Sequence, residues 1–221
     1  MKKPKVSRLA ALTLAVLLLT GCAGQGTTSA TEDARIDRVD EYSESATLAA
    51  FSGGSYDYEP FRTTSAMADA VPLVVDGVVR GVREGRTTTV VGTESTLSTS
   101  VVLIIADVSA VKGELPNGDG NVYIELLDSG HALDVYARAF PEGSRVVAYI
   151  EPAWDGAPAE GADIEIPEGS AGRPEGEPLY MLPPQGIAVQ VDSHDVVWPL
   201  VGDTAEGSIE QFLPGGTLIR G

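Results

Sequence analysis

One cysteine and two histidines are all that 221 residues hold of the side chains most used for thiolate, imidazole and zinc chemistry. Cys22, the single cysteine, has no partner for a disulfide within the chain. His131 and His194 stand 63 positions apart, and a zinc site built on them would need carboxylates to complete three or four ligands. Lysine is nearly as scarce, since Lys112 is the only one beyond the first five residues. With 15 basic residues against 32 acids the formal net charge is −17, which disfavours nucleic acid, whose phosphates need a basic footprint. Long apolar runs are also few. The uncharged stretch at 9–20 covers about 18 Å as a helix, short of the roughly 30 Å of a bilayer core.

That stretch follows Lys2, Lys3, Lys5 and Arg8, with no acid before Glu32. A basic segment, a short apolar segment and small residues at the boundary describe a secretory signal over residues 1–21. The boundary itself, Leu19-Thr20-Gly21-Cys22, resembles the lipobox of bacterial lipoproteins. The resemblance implies a diacylglyceryl group on the Cys22 sulfur, cleavage between Gly21 and Cys22, and fatty acyl chains of the palmitate kind at the new terminus. Each buried methylene contributes about 0.8 kcal/mol, so two or three chains hold a protein on a membrane where one does not. The expected location is the extracytoplasmic face of the cell membrane, with the lipid on Cys22 as the membrane contact. A lone exported thiol with no role is the competing reading, and an uncommon one.

Four of the 15 basic residues lie in the signal and none of the 32 acids does, so the remainder carries 11 basic residues against 32 acids, or −21. Such a charge opposes lying flat on anionic lipid and keeps a domain soluble. Abundant Ala, Gly, Val, Asp and Arg with few lysines suggest a high-GC genome such as that of an actinobacterium. Residues 22–45 are small, polar and charged, as expected of a flexible tether, with a short helix conceivable on Ile36, Val39 and Tyr42. Residues 46–221 form the expected β-rich extracytoplasmic domain.

Within that domain, 61–70 reads as one short helix capped by Thr63 or Thr64. Strand texture follows. Residues 73–83 are β-branched and punctuated by Gly77 and Gly81, where a strand can bend. Segments 87–91 and 96–111 continue it, and the run Val101-Val102-Leu103-Ile104-Ile105 suits a central strand. Further strands are expected at 122–127, 145–150, 186–191 and 195–201, separated by turns at 117–121, 141–143 and 192–195. An acidic Pro/Gly loop spans 152–178, long enough to be either functional or disordered.

Six or seven strands with one or two short helices in roughly 160 residues make a usual single domain, either a small closed barrel or a sandwich. The string Ala68-Asp69-Ala70-Val71-Pro72-Leu73-Val74-Val75-Asp76-Gly77-Val78-Val79, with the later Val108-Ser109-Ala110-Val111-Lys112-Gly113, resembles OB-like barrel domains of exported actinobacterial proteins. The resemblance spans about residues 66–152. It implies a first strand bent at glycine and shared by both sides of the barrel, and it names a shape without an activity.

Several local patterns mimic catalytic or metal sites. Ser109-Ala-Val-Lys112 matches Ser-x-x-Lys, but that chemistry needs a helix and a second lysine, and residues three apart on a strand face opposite ways. No Gly-x-Ser-x-Gly occurs; the nearest string is Gly169-Ser170-Ala171-Gly172. Asn117, Asp119 and Asn121 alternate like calcium ligands, yet Val122 stands where the EF-hand loop needs glycine and Asp128 where it needs glutamate. Trp154 and Trp198 near strand ends suit either a ligand groove or packing.

No catalytic set and no cofactor are therefore expected. The reading is a non-enzymatic binding or envelope-assembly module, with an envelope protein or a small ligand as partner. The alternative is a divalent-cation-responsive envelope protein using acids of the 155–177 segment, among them Asp155, Glu160, Asp163, Glu165, Glu168, Glu175 and Glu177.

Overall fold

The structure is a computed structural model that describes residues 44–52, 56–93, 95–116, 118–154 and 163–220. Cys22, the signal segment, most of the tether, Asn117, Asp155 and Glu160 lie outside the described residues, as does the helix considered around Ile36. Nine strands are described: β1 Leu73–Val90, β2 Thr96–Lys112, β3 Val122–Leu127, β4 Arg145–Pro152, β5 Ile164–Glu165, β6 Leu179–Met181, β7 Ile187–Gln190, β8 Asp195–Trp198 and β9 Asp203–Glu206. Three short helices join them, α1 Glu44–Ala49, α2 Thr64–Ala70 and α3 Leu133–Ala139, with a 3-10 turn at Ile209–Phe212.

The chain is mainly β, as its composition and periodicity suggest. Strands β1, β2, β3, β6 and β4 pair in that order, and β4 returns to pair with β1. Every pairing around this ring is antiparallel except β3 with β6. A five-stranded ring whose first strand serves both sides is the OB-like barrel arrangement.

The bend in β1 has a local cause. From Val74 to Val78 the strand runs between β4 and β2; beyond that it leaves β4, continues along β2, and takes β5 on its other edge only at Thr89 and Val90. Register shifts at Asp76/Val78 and Val79/Gly81 mark the turn. A Cβ on Gly77 would sit 2.7 Å from Ile105 Cγ2 and 2.8 Å from the Ala106 carbonyl oxygen, so only glycine lets β1 cross β2 this closely.

Alternation along the strands builds the barrel core, a second core on the outer face of β4, and a small cluster of Val102, Ile104, Tyr123 and Leu179. Val101, Leu103 and Ile105 of β2 point inward with Ile124 and Leu126 of β3 and Val146, Ala148 and Ile150 of β4. Phe51, Tyr136 and Phe140 join the same core, with Phe51 at 5.6 Å and 5.8 Å from the other two rings. The alternate residues Val74, Val147 and Tyr149 face out and are covered by α2, β8, β9 and the 3-10 turn. There Trp198 packs edge-on against Phe212 at 5.4 Å, and the Tyr149 hydroxyl donates to the Phe212 carbonyl at 2.5 Å.

Beyond the barrel, β7, β8 and β9 form a meander attached to β4. The expected hairpin is present, with Val189 opposite Val197, though its second strand ends at Trp198. The expected helix is also present over Thr64–Ala70, where the Thr63 hydroxyl accepts from the Ala66 N–H at 3.0 Å.

Other expectations need correcting. The segments expected at 73–83 and 87–91 are one 18-residue strand, and the described residues hold nine strands where six or seven were expected. Helix α3 was not anticipated because its cap position, Ala132, makes no side-chain cap bond. The loop expected over 152–178 contains β5, and its described part lies against the barrel. Gly172 sits so close to Val102 that an added Cβ would come within 2.6 Å of it.

Candidate functional site

The site begins with an irregularity in β1. Glu84 pairs with Val101 and Thr87 with Thr99, so three steps along β1 match two along β2. This bulge re-aims the side chain that follows Gly85. Gly85 itself has no room for a Cβ, which would lie 2.4 Å from Ser100 Oγ. Arg86 is consequently buried, at 5% exposure, despite carrying a charge.

Burying a guanidinium is costly unless its charge and donors are matched. Glu125 on β3 supplies the match. Arg86 Nε donates to Oε1 at 2.8 Å and Nη2 to Oε2 at 2.5 Å, a two-pronged pairing, while Nη1 donates to the Trp154 carbonyl at 2.8 Å. The Ser100 hydroxyl lies 2.9 Å from Glu125 Oε1 and 3.1 Å from the Arg86 carbonyl oxygen. One ion pair thus ties β1, β2, β3 and the end of β4 together.

Beside this pair opens a cleft of about 340 Å³, within the size range of small-molecule sites. One wall is a row of hydroxyls, Thr88 on β1 with Ser98, Thr99 and Ser100 on β2. The rest of the lining is largely apolar, with Leu127 of β3 beside Ser100 and with Ile166, Met181, Leu182 and Trp154, and Tyr56 and Leu200 also reach the cleft. Leu127, Trp154 and Met181 are 58%, 40% and 42% exposed, and all three are large hydrophobic residues on one opening. Among the described residues Arg86 and Glu125 are the only charged ones that line it, and their charges offset each other.

A second hollow of about 310 Å³ lies near the β3–α3 connection and includes Asp128 and His131. Here the Asp128 carboxylate accepts from Tyr136 Oη at 2.6 Å, Thr99 Oγ1 at 2.8 Å and the Gly130 N–H at 2.8 Å. Burial raises this carboxyl, but the hydrogen bonds from Tyr136 and Thr99 and from nearby backbone N–H groups outweigh it and hold the pKa below its ordinary value. The Tyr136 hydroxyl is shifted the other way, first by burial and then by its bond to Asp128. These bonds brace the connection between β3 and α3.

The residues singled out in the sequence fall in different places. His131 and His194 are both exposed, and among the described residues neither ring has a serine or carboxylate side chain at hydrogen-bond distance. Lys112 Nζ donates to the carbonyls of Ala68 and Val71, the latter at 2.8 Å, and so closes the end of α2 rather than serving Ser109. Asp119 accepts from the Tyr123 hydroxyl at 2.5 Å and from the Asn121 N–H at 2.9 Å, as a turn residue does. The Tyr123 bond is the main reason its carboxyl sits below the usual range. The two tryptophans divide: Trp198 is core, and Trp154 is at the cleft. Among the described residues no group of three or more His, Cys, Asp or Glu is placed to hold a metal ion, and no helix is long and apolar enough to cross a membrane.

Arg86, Glu125, Thr88 and Ser98 were not visible as a site in the sequence. A bulge interrupts the alternation that would have reported which way Arg86 points, and only the break Gly85-Arg86 before Thr87-Thr88-Thr89 hints at it. Compared with protein-family models, curated proteins and solved structures, the chain matches none.

Proposed function

We propose that this protein is a lipid-anchored extracytoplasmic binding module, held to the membrane through Cys22 and using the cleft beside Arg86 and Glu125 as its binding site. Support for the anchor comes from the lipobox-like Leu19-Thr20-Gly21-Cys22 after a basic and apolar leader. The observation that carries the binding reading is the cleft itself. It leaves Leu127, Trp154 and Met181 partly in solvent near the Arg86–Glu125 ion pair, where folding alone would favour covering them.

Two measurements test the reading. In cell fractionation with lipid labelling, Cys22→Ser should leave the membrane fraction unlabelled. A variant that stayed membrane-bound with lipid still attached would sink the anchor. For the cleft, the lipidated protein in nanodiscs is screened against neutral water-soluble fragments by ligand-observed NMR, with empty nanodiscs as control. Fragment contact should be lost in Leu127→Asp, and a wild-type protein that contacts no fragment would sink the binding reading.

A further inference from the structure

The cleft asks two different things of an occupant. On the strand wall, Thr88 of β1 stands directly opposite Ser98 of β2. Both are half-buried, and neither hydroxyl has a hydrogen-bond partner among the described residues. The neighbouring hydroxyls are already used, Thr99 by Asp128 and Ser100 by the ion pair. The Arg86 guanidinium has five N–H groups and spends three on Glu125 and Trp154. Polar capacity therefore remains along this wall, and covering it with a purely apolar molecule would desolvate it without return. The lining also includes the apolar Trp154, Met181 and Leu127, all partly exposed.

A molecule suited to both the hydroxyl and the apolar parts of this lining has a flat apolar face, hydroxyl groups along its edge and no charge. An acyl chain fails the first wall. An anion fails because Arg86 is neutralised by Glu125 and the chain as a whole carries −17. A cation finds no spare carboxylate among the described lining residues, since Glu125 is held by Arg86. A sugar ring meets all three demands, laying its C–H face on the indole and its hydroxyls toward Thr88 and Ser98.

Resting on the binding reading above, we infer that the cleft is a binding site for neutral carbohydrate, with Trp154 as the stacking platform and Thr88 and Ser98 as hydroxyl partners. The lipidated protein in nanodiscs is titrated with a panel of neutral gluco-, manno-, galacto-, arabino- and N-acetylglucosamine oligosaccharides, followed by calorimetry and tryptophan emission. At least one should bind at millimolar concentration or below and shift the emission. Trp154→Ala, and separately the double variant Thr88→Val with Ser98→Ala, should each weaken it about tenfold or more. These strand substitutions keep shape, and an unchanged melting temperature shows that loss of binding is not loss of fold. Saccharide binding untouched by both variants would overturn the inference by placing the site elsewhere. If neutral fragments contact the cleft and no saccharide in the panel binds, the carbohydrate assignment falls and the binding reading stands. If neither fragments nor saccharides bind, both fall.

Discussion

The guanidinium of Arg86 and the carboxylate of Glu125 meet edge to edge across the β2 strand that separates their own strands, at 2.8 Å and 2.5 Å, and the Arg86 side chain is only 5% exposed. The pair holds β1 to β3 at the point where β1 has left β4, so the cleft wall is braced by charge where the strand ladder no longer closes the ring.

Breaking this pair from one side should cost far more than removing it whole. Arg86→Met or Glu125→Met leaves a partly buried charge without its partner and should lower unfolding free energy by about 3 kcal/mol. Arg86→Met combined with Glu125→Met should recover much of that loss, because packed apolar groups need no counter-charge. Urea unfolding of the four proteins measures it; additive single losses in the double variant would show that the two residues are not coupled.

Gly85→Ala tests the bulge that aims Arg86. Its Cβ would lie 2.4 Å from Ser100 Oγ and 2.9 Å from the Ser100 carbonyl oxygen, so the backbone must move. A loss of about 1–3 kcal/mol is expected from overpacking of this kind. Fragment contact at the cleft should weaken with it. Unaltered stability and binding would mean that the bulge tolerates a side chain and does not set the wall.

The two tryptophans should respond in opposite ways. Trp198 is fully buried and its indole N–H has no partner among the described residues. Trp198→Ala should cost about 3–5 kcal/mol from the cavity left behind, whereas Trp198→Phe should cost about 1.5 kcal/mol or less because no hydrogen bond is lost with the nitrogen. Trp154→Phe, at a partly exposed position on the cleft, should cost less than Trp198→Ala. Thermal unfolding of the three variants separates these roles, and a Trp198→Phe as damaging as Trp198→Ala would show that the nitrogen has a partner.

Acid sensitivity should depend on Asp128. Its carboxyl pKa is lowered in the folded protein, since hydrogen bonds from Tyr136 and Thr99 outweigh the opposing effect of burial. A depressed carboxyl contributes stability that is present above the unfolded value, about 3.9, and is lost as pH falls through the lower folded value. Stability should therefore fall below about pH 4, and Asp128→Asn should show a smaller loss over that window than the parent. Comparing the two proteins cancels the repulsion among the remaining acids. Equal acid slopes in both would show that Asp128 makes no such contribution.

Much of the barrel could be read from residue order because its causes are local. Alternation in Val101-Val102-Leu103-Ile104-Ile105 and in Val146-Val147-Ala148-Tyr149-Ile150 marks strands with both faces covered, and Gly77 marks the crossing where a Cβ has no room. Thr63 announces α2 by its capping hydroxyl. Elements without such a cue were missed, as with α3 behind Ala132 and the three residues of β6 between prolines.

By itself the sequence determined a mainly β chain with a bent first strand, and the separate expectation of a lipid on Cys22, which lies outside the described residues. Only the tertiary structure decided that β4 returns to β1 and that Arg86 turns inward to Glu125, 39 positions away. It also decided that Trp154 lines a cleft while Trp198 fills a core. The reason is range. A turn or an alternation is set by neighbours along the chain, whereas a ring closure, a buried ion pair and a cleft exist only once distant strands have paired and one bulge has changed which way a side chain points.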